Sequence, residues 1–210
     1  MTSITCAAEV DAVDWAKGGG LVPAIVQDVP SLRVLMLGYM NRAALQQTLE
    51  TRHVTFYSRG KHRLWEKGET SGNTLVCREI RLDCDRDTLL VLAEPNGPTC
   101  HLGTPTCFGD HASPGLAILA DLAATIRQRR RDAPADSYTA TLFASGMRRI
   151  AQKVGEEGVE VALAAGNAEE LAAESADLLY HLLVLLEAGG VSLQDVMTVL
   201  RDRAQTRGPS

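Results

Sequence analysis

Between Asp83 and Cys107 the chain gathers three thiols, a histidine and three alternating aspartates: Asp83, Cys84, Asp85 and Asp87, then Cys100, His101 and Cys107. Thiolate and imidazole are soft ligands that select zinc, whereas clustered carboxylates suit magnesium or another hard cation. The composition therefore predicts two metal centres of different character. Read as an extended segment, Asp83 to Asp87 puts its carboxylates on one face and Cys84 on the other, so the two centres stand back to back. Three cysteines fill three tetrahedral positions on zinc and leave one for a water, which zinc acidifies towards neutral pH. The chemistry that follows is hydrolysis. Two roles are open to His101: a fourth ligand closing the site, or a proton carrier beside an open one. Asp83, Asp85 and Asp87 with Glu94 at the twelfth position also imitate a calcium loop. Against that, Thr88 stands where such a loop requires glycine, and Leu89–Leu92 reads as a buried strand as readily as a helix.

A second set of acidic residues lies further on. At about 100° per residue, Lys153, Glu156, Glu157 and Glu160 fall in one sector of a helix, bordered by Val154 and Val161. On the next helix Glu174, Asp177 and His181 share a face with Leu171, Leu178, Leu182 and Leu185. Taken singly, each glutamate is an ordinary surface carboxylate in i to i+4 ion pairs. Taken as a set on two apolar faces, they predict a divalent cation, because like charges are costly to bury unless neutralised. Magnesium commonly bridges phosphates, so the implied reaction is attack on a phosphoanhydride, with Lys153 neutralising developing phosphate charge. His181 reads as a satisfied core histidine.

The elements that must position these residues fall into two kinds. Up to about residue 108 the chain reads as short strands. Residues 7–17 suggest a short amphipathic helix ended by Gly18-Gly19-Gly20. Strands follow at Leu21–Gln27, Arg33–Leu37, His53–Ser58 and Thr74–Leu82, with a helix over Arg42–Glu50 capped by Asn41. Between them, Arg59 to Asn73 is a basic loop holding Arg59, Trp65, Lys67, Thr70 and Ser71. It reads either as a phosphate-holding and base-stacking loop or as a solvated hairpin loop with one packed tryptophan. Beyond the turn-forming stretch Gly109–Gly115 everything reads helical: Leu116–Arg131, Ser137 to Ser145, Arg148–Ala165, Ala168–Glu187 and Ser192–Arg203. The expectation is an α+β chain. A mostly antiparallel β metal-binding domain over 1–113 precedes an all-α helical bundle over 114–210.

Composition excludes several classes. A net charge of −5 gives no general basic footprint for nucleic acid, and Arg127–Arg131 is the one dense cationic run. No apolar run has the length to span a bilayer, and the N-terminus lacks a signal-peptide pattern, which points to a cytoplasmic protein. Five cysteines in that setting read as reduced thiols and metal ligands, with Cys6 and Cys77 incidental.

The motifs Leu21–Asp28, Met36–Asn41, Leu64–Asn73, Asp83–Asp87, Gly97–His101 and Thr106–Phe108 resemble phosphoribosyl-AMP cyclohydrolase. Lys153–Glu160 and Glu174–His181 resemble phosphoribosyl-ATP pyrophosphohydrolase. Together, in this order, they resemble the bifunctional enzymes of histidine biosynthesis. The resemblance implies that the C-terminal half removes pyrophosphate from phosphoribosyl-ATP, and that the N-terminal half then opens the adenine ring of phosphoribosyl-AMP. It implies magnesium on Asp83, Asp85 and Asp87, and zinc on Cys84, Cys100 and Cys107. The zinc site would be shared between the chains of a homodimer, Cys84 coming from one and the other two from its partner. His101 would transfer a proton, and Glu156, Glu157, Glu160, Glu174 and Asp177 would form the metal motif of an all-helical pyrophosphohydrolase. The alternative is a helical nucleotide pyrophosphohydrolase carrying a non-catalytic zinc-binding N-terminal module.

Overall fold

The computed structural model describes residues 2–109 and 115–206, in two compact units that divide between Ala117 and Ile118. The linker expected over Gly109–Gly115, with the boundary at residue 113, lies largely outside the described residues, since 110–114 are not among them.

In the first unit, β1 (Thr2–Ser3), β2 (Val22–Asp28), β3 (Val34–Met40), β6 (Leu75–Leu82) and β7 (Leu89–Pro95) make one sheet in the order β1-β6-β7-β2-β3. Its pairs are antiparallel except β2 with β7, which run parallel. Alternation explains the buried face. Val22, Ala24 and Val26 are fully buried on β2, and Leu89, Val91 and Ala93 on β7, with Ala24 opposite Leu89 and Val26 opposite Val91. The strands β4 (Thr55–Ser58) and β5 (Arg63–Glu66) form a separate hairpin.

Helix α1 (Arg42–Thr51) starts where expected, with the Asn41 side chain accepting from the Ala44 amide at 2.8 Å. It buries Ala44 and Leu45, and the Thr48 hydroxyl accepts from the Thr55 amide at 2.9 Å, fastening the helix to β4. Phe56 on β4 lies so close to β3 that a Cβ added at Gly38 would sit 2.3 Å from its ring. Glycine is therefore required there for the sheet and the hairpin to close over a shared core. Burying that phenyl stabilises the unit by roughly 1.5–3 kcal/mol.

Three local expectations are corrected. Residues 7–17 do not form a helix throughout. Ala7–Ala12 is a 3-10 turn, because Val10 and Val13, three apart, both go into the core and the Trp15 ring nitrogen donates to the Val10 carbonyl at 3.0 Å. The basic stretch is not all loop, since Arg63–Glu66 pairs with β4 and stacks Trp65 on Phe56 at 5.6 Å. Asp83–Asp87 is not extended. It is the bend joining β6 to β7, with Arg86 left-handed at φ 68°.

The second unit is all helical: α2 (Ala117–Asp132), α3 (Tyr138–Ala144), α4 (Met147–Leu163), α5 (Ala168–Ala188) and α6 (Leu193–Thr206). Ser137 and Asn167 cap α3 and α5 through backbone amides of their first turns. Ile126, Leu142, Ile150, Leu183 and Val184 form the core. Leu116, expected to begin the apolar face of α2, lies before that helix and is 86% exposed. Among the described residues no single helix is long and apolar enough to cross a membrane.

Candidate active sites

The first site grows from two loops of the sheet unit. The loop from Cys100 to Cys107 folds on itself: the Gly103 amide donates to the Cys100 carbonyl at 3.0 Å and the Cys100 amide to the Thr104 carbonyl at 3.1 Å. The Cys107 amide donates to the Leu35 carbonyl at 2.8 Å, which ties the loop to β3. The loop thereby turns both thiols into one hollow. Their protons are held unequally. Hydrogen bonds from the Leu102 amide and the Thr104 hydroxyl pull the Cys100 thiol below the ordinary range, whereas burial and the neighbouring Cys100 charge push Cys107 up. His101 places Nδ1 3.9 Å from the Cys100 sulfur and is exposed.

Facing these thiols is a cavity of about 430 Å³ whose lining includes Trp65, Lys67, Thr70, Ser71, Cys100, His101 and Cys107. Four of the five residues expected to hold substrate thus share one hollow with two of the three predicted zinc ligands, Cys100 and Cys107. Arg59 does not. Its guanidinium lies 3.8 Å from the Tyr39 ring centre and lines a different cavity with Asn41, Tyr57 and His62. Lys67 is buried, and its ammonium donates to the Asn73 carbonyl at 3.1 Å. Burial pushes that ammonium below the ordinary lysine range, and the nearby thiol groups act the other way.

The three aspartates do converge, by a route other than the expected alternation. The Asp83 Oδ1 accepts from the amides of Asp87 (3.0 Å) and Thr88 (3.2 Å), so this carboxylate shapes the bend that it belongs to. The bend brings carboxylate oxygens of Asp83, Asp85 and Asp87 within 4.8 Å of one another. Sequence reasoning missed Lys17. Its ammonium lies 2.6 Å from Asp85 and 3.1 Å from Asp87, which raises its own affinity for a proton and lowers that of Asp85. Nothing local in the sequence signals a contact across 68 positions. Among the described residues, Cys84 does not join Cys100 and Cys107 in any ligand group of that size, and it is exposed.

In the helical unit α4 and α5 bring Glu157, Glu174 and Asp177 together, again within 4.8 Å. Of the predicted α4 sector only Glu157 is buried. Lys153 donates to it at 2.6 Å and to Glu156 at 3.0 Å, which lowers the pKa of both carboxylates. Glu156 is further held by Arg149 at 3.0 Å, outside the carboxylate trio. Glu160 is exposed, and the charge of Glu157 pushes its pKa up, the response of a carboxylate facing another. His181 is buried as expected, though not fully satisfied. Its Nε2 is 3.5 Å from Glu157, while its Nδ1 finds no hydrogen-bond partner among the described residues. Burial lowers its pKa.

Residues 36–109 match the phosphoribosyl-AMP cyclohydrolase family and residues 119–204 the phosphoribosyl-ATP pyrophosphohydrolase family. The "Histidine biosynthesis bifunctional protein HisIE" of Photobacterium profundum is 58% identical over 201 residues, covering 92% of this chain and 97% of the relative. Its counterpart in Vibrio cholerae is 58% identical over 197 residues (92% and 94%), and that of Xylella fastidiosa Temecula1 is 60% identical over 193 residues (91% and 92%). The chain belongs to the bifunctional histidine-biosynthesis family. The cyclohydrolase match spans the cysteine cavity and the aspartate bend, and the pyrophosphohydrolase match spans the carboxylate trio. Each half of this bifunctional enzyme therefore carries one of the two constellations.

Proposed function

We propose that the helical unit cleaves phosphoribosyl-ATP to phosphoribosyl-AMP and pyrophosphate at Glu157, Glu174 and Asp177, with Glu156 and Glu160 alongside. The sheet unit then opens the adenine ring of the product at the cavity bearing Cys100, His101 and Cys107. The observation that carries this reading is the pairing of each family match with one gathered donor set of suitable chemistry.

The donors suit the ions that the reading requires. Three carboxylates within 4.8 Å of one another fit magnesium, both at Glu157, Glu174 and Asp177 and at Asp83, Asp85 and Asp87. The thiols of Cys100 and Cys107, which line one hollow, fit zinc, and among the described residues no third thiol gathers with them. We assign that third ligand to Cys84 of a second copy, which makes the working enzyme a homodimer. When bound, zinc supplies an acidified water, and magnesium supplies charge neutralisation on phosphate oxygens.

The chain's own residues do the rest. Trp65 offers an aromatic face for the base, Thr70 and Ser71 offer hydroxyl donors, and the buried Lys67 lends positive charge to the same hollow. His101, exposed beside Cys100, carries the proton between attacking water and departing ring nitrogen. In the helical unit the Lys153 ammonium is held among the carboxylates and meets the charge that develops on phosphate. Reduced thiols at such a site suit the cytoplasm.

The test gives the zinc-loaded protein phosphoribosyl-ATP with magnesium and follows pyrophosphate and the ultraviolet change of ring opening in one sample. The expected course is pyrophosphate first and the ultraviolet change after a lag. Pyrophosphate release without any ultraviolet change, in protein shown to hold zinc, would remove the ring-opening assignment.

A further inference from the structure

Helix α3 opens with a large aromatic side chain, and Tyr138 is left 56% exposed. The ring is not loose. It stacks on Tyr180 at 6.3 Å and 28°, and meets His181 edge-on at 6.0 Å and 86°. Tyr180 in turn packs edge-on against His181 at 5.1 Å, and its hydroxyl shares a 2.8 Å hydrogen bond with the buried Thr139. His181 Nε2 lies 3.5 Å from Glu157, a member of the carboxylate trio. A braced aromatic shelf thus begins one imidazole away from the proposed metal ligands and ends in an exposed ring. In a nucleoside triphosphate the base stands one ribose beyond the phosphate that is attacked, so a base-binding surface is needed at a spacing of this kind.

Resting on the pyrophosphohydrolase reading above, we propose that Tyr138 is the stacking surface for the purine of the triphosphate substrate, and so a substrate-positioning residue of the helical unit. Every base offers a π-face, so the contact adds affinity without touching the scissile bond. Removing it raises KM and leaves kcat unchanged, because the interaction is the same in ground state and transition state.

The experiment measures pyrophosphate release from phosphoribosyl-ATP by the full-length, magnesium-loaded protein and its Tyr138→Ala and Tyr138→Phe variants, with inorganic tripolyphosphate as a base-free competitor. Tyr138→Ala raises KM about tenfold, the loss expected for one base stack. It leaves kcat and the inhibition constant of tripolyphosphate at the parental values, and Tyr138→Phe restores the parental KM. Equal KM values for parent and Tyr138→Ala would overturn the proposal. So would a tripolyphosphate inhibition constant that rises in step with KM, which would make Tyr138 a structural support of the carboxylates. A parental protein that releases no pyrophosphate would instead refute the pyrophosphohydrolase reading itself.

Discussion

Replacing Gly68 by alanine tests how tightly the cysteine cavity depends on its backbone. Gly68 sits at φ 91°, and an added Cβ would lie 2.6 Å from the carbonyl carbon and oxygen of Asn73 and 2.7 Å from the Thr74 nitrogen. These are backbone atoms and cannot swing aside. The left-handed conformation alone costs a residue with a Cβ about 1–2 kcal/mol. The clash falls on the same Asn73 carbonyl that accepts from the buried Lys67 ammonium, and losing a hydrogen bond to a charged group adds about 1.5–3 kcal/mol. The expected destabilisation is therefore about 2.5–5 kcal/mol. At roughly 4 °C per kcal/mol that lowers the melting point of the sheet unit by about 10–20 °C. Differential scanning calorimetry of Gly68→Ala reads this directly. Gly60→Ala is the control, since an added Cβ there meets nothing within 4 Å. The variant should also bind phosphoribosyl-AMP poorly, because Gly68 lines the cavity with Lys67, Thr70 and Ser71. A Gly68→Ala protein with the parental melting point and KM would refute the claim that this turn holds Lys67 in place.

Cys84→Ser should abolish ring opening while leaving pyrophosphate release intact, as the thiols and the helical carboxylates belong to different units; a coupled assay on folded variant checks both. Lys17→Met should tighten manganese binding at the aspartate bend about threefold, read by electron paramagnetic resonance. The ammonium there competes for Asp85 and Asp87 with only the modest strength of an exposed pair. Weaker binding would mean that Lys17 instead holds the carboxylates together. For His181 the sign follows from burial. Its folded pKa lies below the unfolded value near 6.5, so on acidification the unfolded chain takes up the proton first. Stability of the helical unit is then full above about pH 6.5 and falls below it. His181→Gln should flatten that slope in thermal melts between pH 5 and 7.5.

Much of this is readable because it is local. The short apolar run Leu21–Gln27 and the helical spacing around Glu157 mark strand and helix, and Asn41 and Ser137 mark helix starts through their capping chemistry. The donor sets were visible for the same reason, as residue types at short spacing. What escaped is what depends on contacts between distant residues or on turn geometry. The Asp83 bend is set by that carboxylate accepting two amides ahead of it, which no alternation rule anticipates. Lys17 meets Asp85 only once the N-terminal turns are folded. The strand Arg63–Glu66 is too short and too charged to stand out, and is stabilised by pairing with β4. Glu156 and Glu157 are adjacent and identical in type, yet only Glu157 faces inward.

Two separate hydrolytic sites acting in sequence on one chain must be able to fail one at a time. The most direct measurement gives Glu157→Gln, loaded with zinc and magnesium, each substrate in turn. The expected result is no pyrophosphate from phosphoribosyl-ATP and parental ring opening of supplied phosphoribosyl-AMP. Ring opening that fails together with pyrophosphate release, in a variant that melts like the parent, would contradict it.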